Sequence, residues 1–144
     1  MDLVTRNHPK LTLAGAKAVL AAAEKRAAEI KVPMDIAVVD DGGHLMAFSR
    51  MDGAKLSSIQ IAYTKAHACA IRRKSTGPAM AGNEANVMLS LALAIGSDSR
   101  QTPIRGGVPL VADGACIGAI GVSNGSEDED VDVANAGAAA LAGA

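Results

Sequence analysis

The chain has almost no aromatic side chains: Tyr63 and Phe48 are the whole set, with no Trp. It has no excess of basic charge either, at a formal net −1. Nucleic acid is held by neutralised phosphates and, when single-stranded, by aromatic stacking platforms. With neither to offer, the chain is expected to have no nucleic-acid partner. Cysteine is scarce. Cys69 and Cys116 are too few for a disulfide framework and fall at no metal-ligand spacing, so no metal site is expected. They read as small buried residues of a reduced protein. Long apolar runs are missing as well. No segment approaches the ~20 residues that span a bilayer, and Met1–Lys10 carries no apolar signal core. A cytoplasmic protein with no membrane partner is the expectation.

What is present is alanine, within a 49% apolar composition. Alanine-rich helices fill little volume and pack closely, which favours helix packing and contacts between copies. A length of 144 residues suits a single domain, 1–144, with a real core.

The stretch from Met34 to Asp52 organises the chain. Ile36–Val39 and Leu45–Phe48 are short apolar runs, and Asp40, Asp41, Gly42 and Gly43 stand between them, a hairpin signal. Both faces of each run are apolar, so the hairpin should be covered on both sides. Before it, residues 1–10 read as an arm, and apolar residues at helical spacing predict a helix over 12–31, capped by Thr12 and ended before Pro33. After it, a helix over 57–74 ends in Arg72-Arg73-Lys74. Those cations meet the negative end of the helix dipole, which accounts for the cluster without an anion site. A weaker pattern predicts a helix over 79–95, with Gly82 against it. Arg105–Ser123 reads as a second hairpin turning at Asp113-Gly114. There Gly118 and Gly121 mark a bulge or a close approach. The acids Glu127–Asp130 open a last helix over 127–142; their spacing matches no EF-hand. Two hairpins with helices between them predict an α+β fold, an antiparallel sheet backed by helices.

The run Ile-Ala-Val-Val-Asp-Asp-Gly-Gly-His-Leu-Met-Ala-Phe-Ser-Arg-Met-Asp-Gly-Ala (36–54) resembles the signature of the GlcG/HbpS-like family, which includes the C-terminal domain of PduO-type adenosyltransferases. The likeness continues through Ser58-Ile59 and Lys65-Ala66, and resumes at Gly106–Leu110 and Gly118–Ser123. The resemblance implies a profilin-like fold with about five antiparallel strands, homo-oligomers that are often large and symmetric, and, in some members, haem binding.

Three function classes follow. The first is haem or a related tetrapyrrole, whose iron needs an axial ligand such as His. His8, His44 and His67 are the candidates, and His8, on an arm placed to close over a pocket at a subunit edge, comes first; the dearth of aromatics counts against a pocket for a flat macrocycle. For it, as for any ligand here, the pocket is expected near the hairpin exit, the Lys65 helix and the Gly106–Gly107 strand, close to a subunit interface. The second is an enzyme or accessory protein for a small carboxylated metabolite, of isomerase or hydrolase type. In that reading Arg50 and Arg105 grip a carboxylate, and Gly106 and Gly107 let it approach the backbone. Asp52 and Asp40 orient or accept a proton, and a partly desolvated Lys65 carries one. Plainer roles compete: an Arg50–Asp52 ion pair, Lys65 reaching to water, Asp40 and Asp41 holding their turn. The third class is an assembly protein without catalysis.

Overall fold

A computed structural model describes residues 1–144. Its centre is two apolar strands, β1 (Asp35–Asp40) and β6 (Ala115–Ser123), paired antiparallel from Asp35 opposite Ser123 to Asp40 opposite Gly118. β2 (Leu45–Arg50) pairs with the outer side of β1, and β5 (Gly107–Ala112) with the outer side of β6. The sheet order is β2-β1-β6-β5, all antiparallel. Both hairpins stand where the sequence places them. Asp113 (φ 50°) and Gly114 (φ 74°) form the second turn, the paired positive dihedrals of a tight two-residue loop.

β1 is buried along both faces, as its double apolar character requires. Successive side chains alternate between faces. Ile36 and Val38, with Ile120 and Val122, pack against α1 (Leu13–Glu29) and α4 (Glu127–Ala139), through Val19, Ala23 and Val133. Ala37, Val39 and Ala119 face α2 (Ser58–Arg72) through Ala62, Ala66 and Cys69. Small residues on this second face let α2 lie on the sheet. A Cβ on Gly121 would run into the Ala62 carbonyl and come within 2.5 Å of Ala66 N. The glycine is therefore a seat for a helix backbone, the close approach foreseen from sequence.

The caps follow the chemistry. Thr12 Oγ1 accepts from Gly15 N–H at 3.0 Å, and Ser126 and Glu129 form a reciprocal capping box at the start of α4, each satisfying helix donors that have no partner within the helix. Arg26 clamps Asp132 through Nε and Nη2 at 3.1 and 2.9 Å, tying α1 to α4.

Two expectations are corrected. The main sheet has four strands, not about five; the remaining two, β3 (Met80–Ala81) and β4 (Glu84–Ala85), form a separate two-residue ladder. That ladder also replaces the start of the helix expected over 79–95. Gly82 turns it at φ 63°, and Asn86 Oδ1 accepts from Leu89 N–H at 3.0 Å to start a shorter α3, Val87–Gly96.

Candidate functional site

The three histidines are scattered through the sequence, yet all reach the β1–β2 turn. Asp40 shapes that turn. Its Oδ1 accepts from Gly42 N–H and His44 N–H, both at 2.9 Å, so the carboxylate is committed to backbone donors. Asp41 accepts from Lys10 Nζ at 2.6 Å and has His8 Nε2 at 3.5 Å. The Lys10 ammonium holds the Asp41 carboxyl below the usual carboxylate range. The arm is thus fastened to the turn, and His8 comes with it. His44 continues the turn, exposed, its ring lying over Gly42.

His67 arrives from α2. Its Nδ1 lies 2.9 Å from the Gly43 carbonyl, which Tyr63 OH also approaches at 3.3 Å. A carbonyl oxygen only accepts, so Nδ1 donates and the neutral ring keeps its lone pair on Nε2. That nitrogen makes no hydrogen bond within the chain. A cavity of about 230 Å³ adjoins His67, lined also by Tyr63, Thr64 and Arg100. Gly43 is needed twice over. Its φ is 80°, and a Cβ there would lie 2.5 Å from His67 Nδ1. From sequence the glycine pair reads as a turn alone; Gly43 also makes room for a ring on another element. The three imidazoles do not share one point: no group of three His, Cys, Asp or Glu side chains is placed to hold a metal ion.

Lys65 is 1% exposed. It does not reach to water. Nζ donates to Asp130 Oδ2 at 2.8 Å and to the Val122 carbonyl at 2.7 Å. Asp130 Oδ1 accepts from Gly125 N–H at 2.9 Å. Burial pushes the Asp130 carboxyl up, and the Lys65 hydrogen bond pulls it partly back. Gly106 and Gly107 frame this pair. A Cβ on Gly106 would meet Lys65 Nζ at 2.8 Å, and one on Gly107 would meet the Lys65 carbonyl at 2.6 Å. The bare backbone at 106–107 is filled from within, by Lys65 and by Thr76, whose Oγ1 accepts from Gly107 N–H at 2.9 Å.

Arg105 donates to Asp128 Oδ1 at 2.7 Å, and its N–H to Glu127 Oε1 at 3.0 Å. Arg50 lies on the opposite edge strand from Gly107, three strand spacings or about 14 Å across the sheet. Lys65, Gly106 and Gly107 are brought together; Arg50 does not join them. No ion pair links Arg50 to Asp52. Arg50 instead stands opposite Asp35, a residue sequence reading passes over. Asp35 is fully buried, and neither carboxylate oxygen has a hydrogen-bond partner. Burial raises its pKa, and the nearby Arg50 charge lowers it in part. Cys69 is buried too, its thiol pushed up to about 12 by burial and then by Cys116, which leaves it inert as a nucleophile.

A four-stranded antiparallel sheet held between helices on both faces, with histidines gathered at one hairpin turn, defines an α+β protein of profilin-like arrangement. The family model for haem-degrading HbpS-like proteins matches residues 11–139, and the chain belongs to that family. The chain is 39% identical over 110 residues to protein GlcG of Escherichia coli K12, covering 75% of this chain and 77% of that one. Protein ORFY of Klebsiella pneumoniae shares its fold at a TM-score of 0.86 and 29% identity, covering 100% of this chain and 98% of the other. A crystallised PduOC:haem complex matches at a TM-score of 0.80 and 27% identity, over 92% of this chain and 96% of that chain.

Proposed function

We propose that the protein binds haem or a related tetrapyrrole at the β1–β2 turn, as a homo-oligomer of the cytoplasm. The observation that carries the reading is the convergence of His8, His44 and His67 on Asp40–His44. The likeness to a protein crystallised with haem supports it. The donor set fits the group, since imidazole is a common axial ligand. His8 is the first candidate: it is exposed on the arm, with Asp41 at 3.5 Å to orient its ring. Bound haem supplies a redox-active iron; the chain supplies the imidazole and its orientation.

The 230 Å³ cavity beside His67 falls below the usual range for ligand pockets. A macrocycle held by an imidazole of the turn would therefore lie across the surface, where a second copy would cover it. Exposed Leu45, next to His44, would offer it apolar contact. Self-association has its own support in α3. Val87, Met88, Leu91 and Ile95 are exposed along that helix, at 53–81% of their maximal area, an apolar face left without a partner in one chain. Two free thiols accord with a reducing compartment. No helix is long and apolar enough to cross a membrane.

The alternative, an enzyme gripping a carboxylate with Lys65 and Arg105, draws less from the geometry, because both cations already hold carboxylates of the chain. Absorbance spectra of haemin complexes of His8→Ala, His44→Ala and His67→Ala test the proposal. A shifted Soret band in one of the three identifies the ligand. Spectra identical to wild type in all three would remove the turn as the haem site.

A further inference from the structure

We propose that the cavity between the C-terminal end of α2 and α3 binds a small organic oxyanion, a carboxylate or phosphate ester with a short carbon skeleton. This cavity lies away from the β1–β2 turn and takes no part in the haem reading.

The cavity holds about 470 Å³, within the range of metabolite pockets. Arg72, Lys74, Ser75 and Gln101 give it a polar side, and Met80 and Leu93 an apolar one; no Asp or Glu lines it. Neither cation of this lining is engaged by a carboxylate of the chain. Lys10, Arg26, Lys65 and Arg105 each hold a carboxylate of the chain within 3.0 Å. Arg72 and Lys74 hold none, and no intramolecular hydrogen bond engages their side chains.

Their position at the end of α2 satisfies the helix dipole, which accounts for cationic residues there but not for a ligand-sized hollow beside them. The dipole contributes about half a negative charge at a helix C-terminus, against two full positive charges here. The balance stays in favour of an anion. One of the carbonyls at that end is already occupied: the Cys69 oxygen accepts from the N–H groups of Arg73 and Lys74.

The walls are fixed before any ligand arrives. Thr76, buried beside the cavity, exchanges hydrogen bonds with Gly107: its N–H donates to the Gly107 carbonyl at 3.1 Å, and its Oγ1 accepts from Gly107 N–H at 2.9 Å. That anchors the 75–78 segment to the sheet edge. On the facing wall Ser90 Oγ accepts from Ala79 N–H at 2.9 Å and donates to the Asn86 carbonyl at 2.7 Å. A preformed pocket spares the ordering cost of binding. The planar guanidinium of Arg72 suits two oxygens of one carboxylate or phosphate, and Lys74 adds a point charge. The carbon skeleton then rests on Met80 and Leu93.

Isothermal titration of the full chain, without haem, with succinate and with glycerol 3-phosphate tests this. At least one probe should bind saturably. Binding of succinate alone identifies a carboxylate ligand, and binding of glycerol 3-phosphate alone a phosphate ester. Arg72→Gln and Lys74→Gln should each weaken the bound probe about tenfold or more. Lys25→Gln, the same charge change on the exposed side of α1, should leave affinity unchanged. Absence of saturable binding by both probes into the millimolar range would overturn the proposal. So would wild-type affinity in Arg72→Gln and Lys74→Gln, or an equal loss in Lys25→Gln.

Discussion

Lys65 is the one Lys or Arg side chain buried in the fold, at 1% exposure. From sequence it is a cation among small apolar residues of a helix, ready to carry a proton or reach to water. In the folded chain it crosses the end of the sheet and joins α2 to the first turn of α4. Its partner Asp130 lies 65 positions away, and only the glycines at 106 and 107 hint at the space it needs. Removing one member of a buried pair strands the other charge. Lys65→Met should therefore cost about 3–5 kcal/mol in urea unfolding, while Lys65→Met combined with Asp130→Leu should recover much of it. A single substitution costing no more than a surface change would contradict the assignment. Asp35 makes a pH prediction. Its folded pKa is raised by burial, so protonation favours the native state. Its contribution is fully present below the ordinary carboxylate pKa of about 4 and is lost as pH rises through the folded value. Asp35→Asn should raise the melting temperature at neutral pH and lose that advantage in acid; a lower melting temperature at neutral pH would count against it.

Elements are more legible than residues because their signals are local. The two hairpins, the Thr12 cap and the break before Pro33 come from turn chemistry and periodicity within a few residues. The helix expected over 79–95 goes wrong where local cues conflict, with apolar spacing on one side and Gly82 and Asn86 on the other. The seat of α2 is intermediate: Gly121 announces a close approach, but what approaches is settled only by the fold. Gly121→Ala and Gly82→Ala separate two uses of glycine. The first should push α2 off the sheet and destabilise by about 1–3 kcal/mol. The second meets no atom within 4 Å and should cost only the strain of a positive φ, about 1 kcal/mol. Equal denaturation midpoints for the two would refute the packing argument.

The molecule as a whole was legible in class, an antiparallel α+β fold, because two hairpins and flanking helices have few ways to bury their faces. The site was legible only in its parts. Three histidines in a list do not reveal a shared turn, since the arm, the hairpin and α2 meet through long-range packing. Nor does a list show that α3 turns Met88, Leu91 and Ile95 outward. If that face joins copies, Leu91→Glu should reduce a multiple of the 14.5 kDa chain mass toward the monomer in light scattering. A wild-type monomer, or a variant unchanged in mass, would exclude α3 as the contact. Whether this assembled turn takes a tetrapyrrole is read from a haemin titration of the purified protein followed by absorbance. A saturable Soret band should grow in at about one haem per subunit or subunit pair, with the iron held by imidazole. A featureless titration would contradict haem binding.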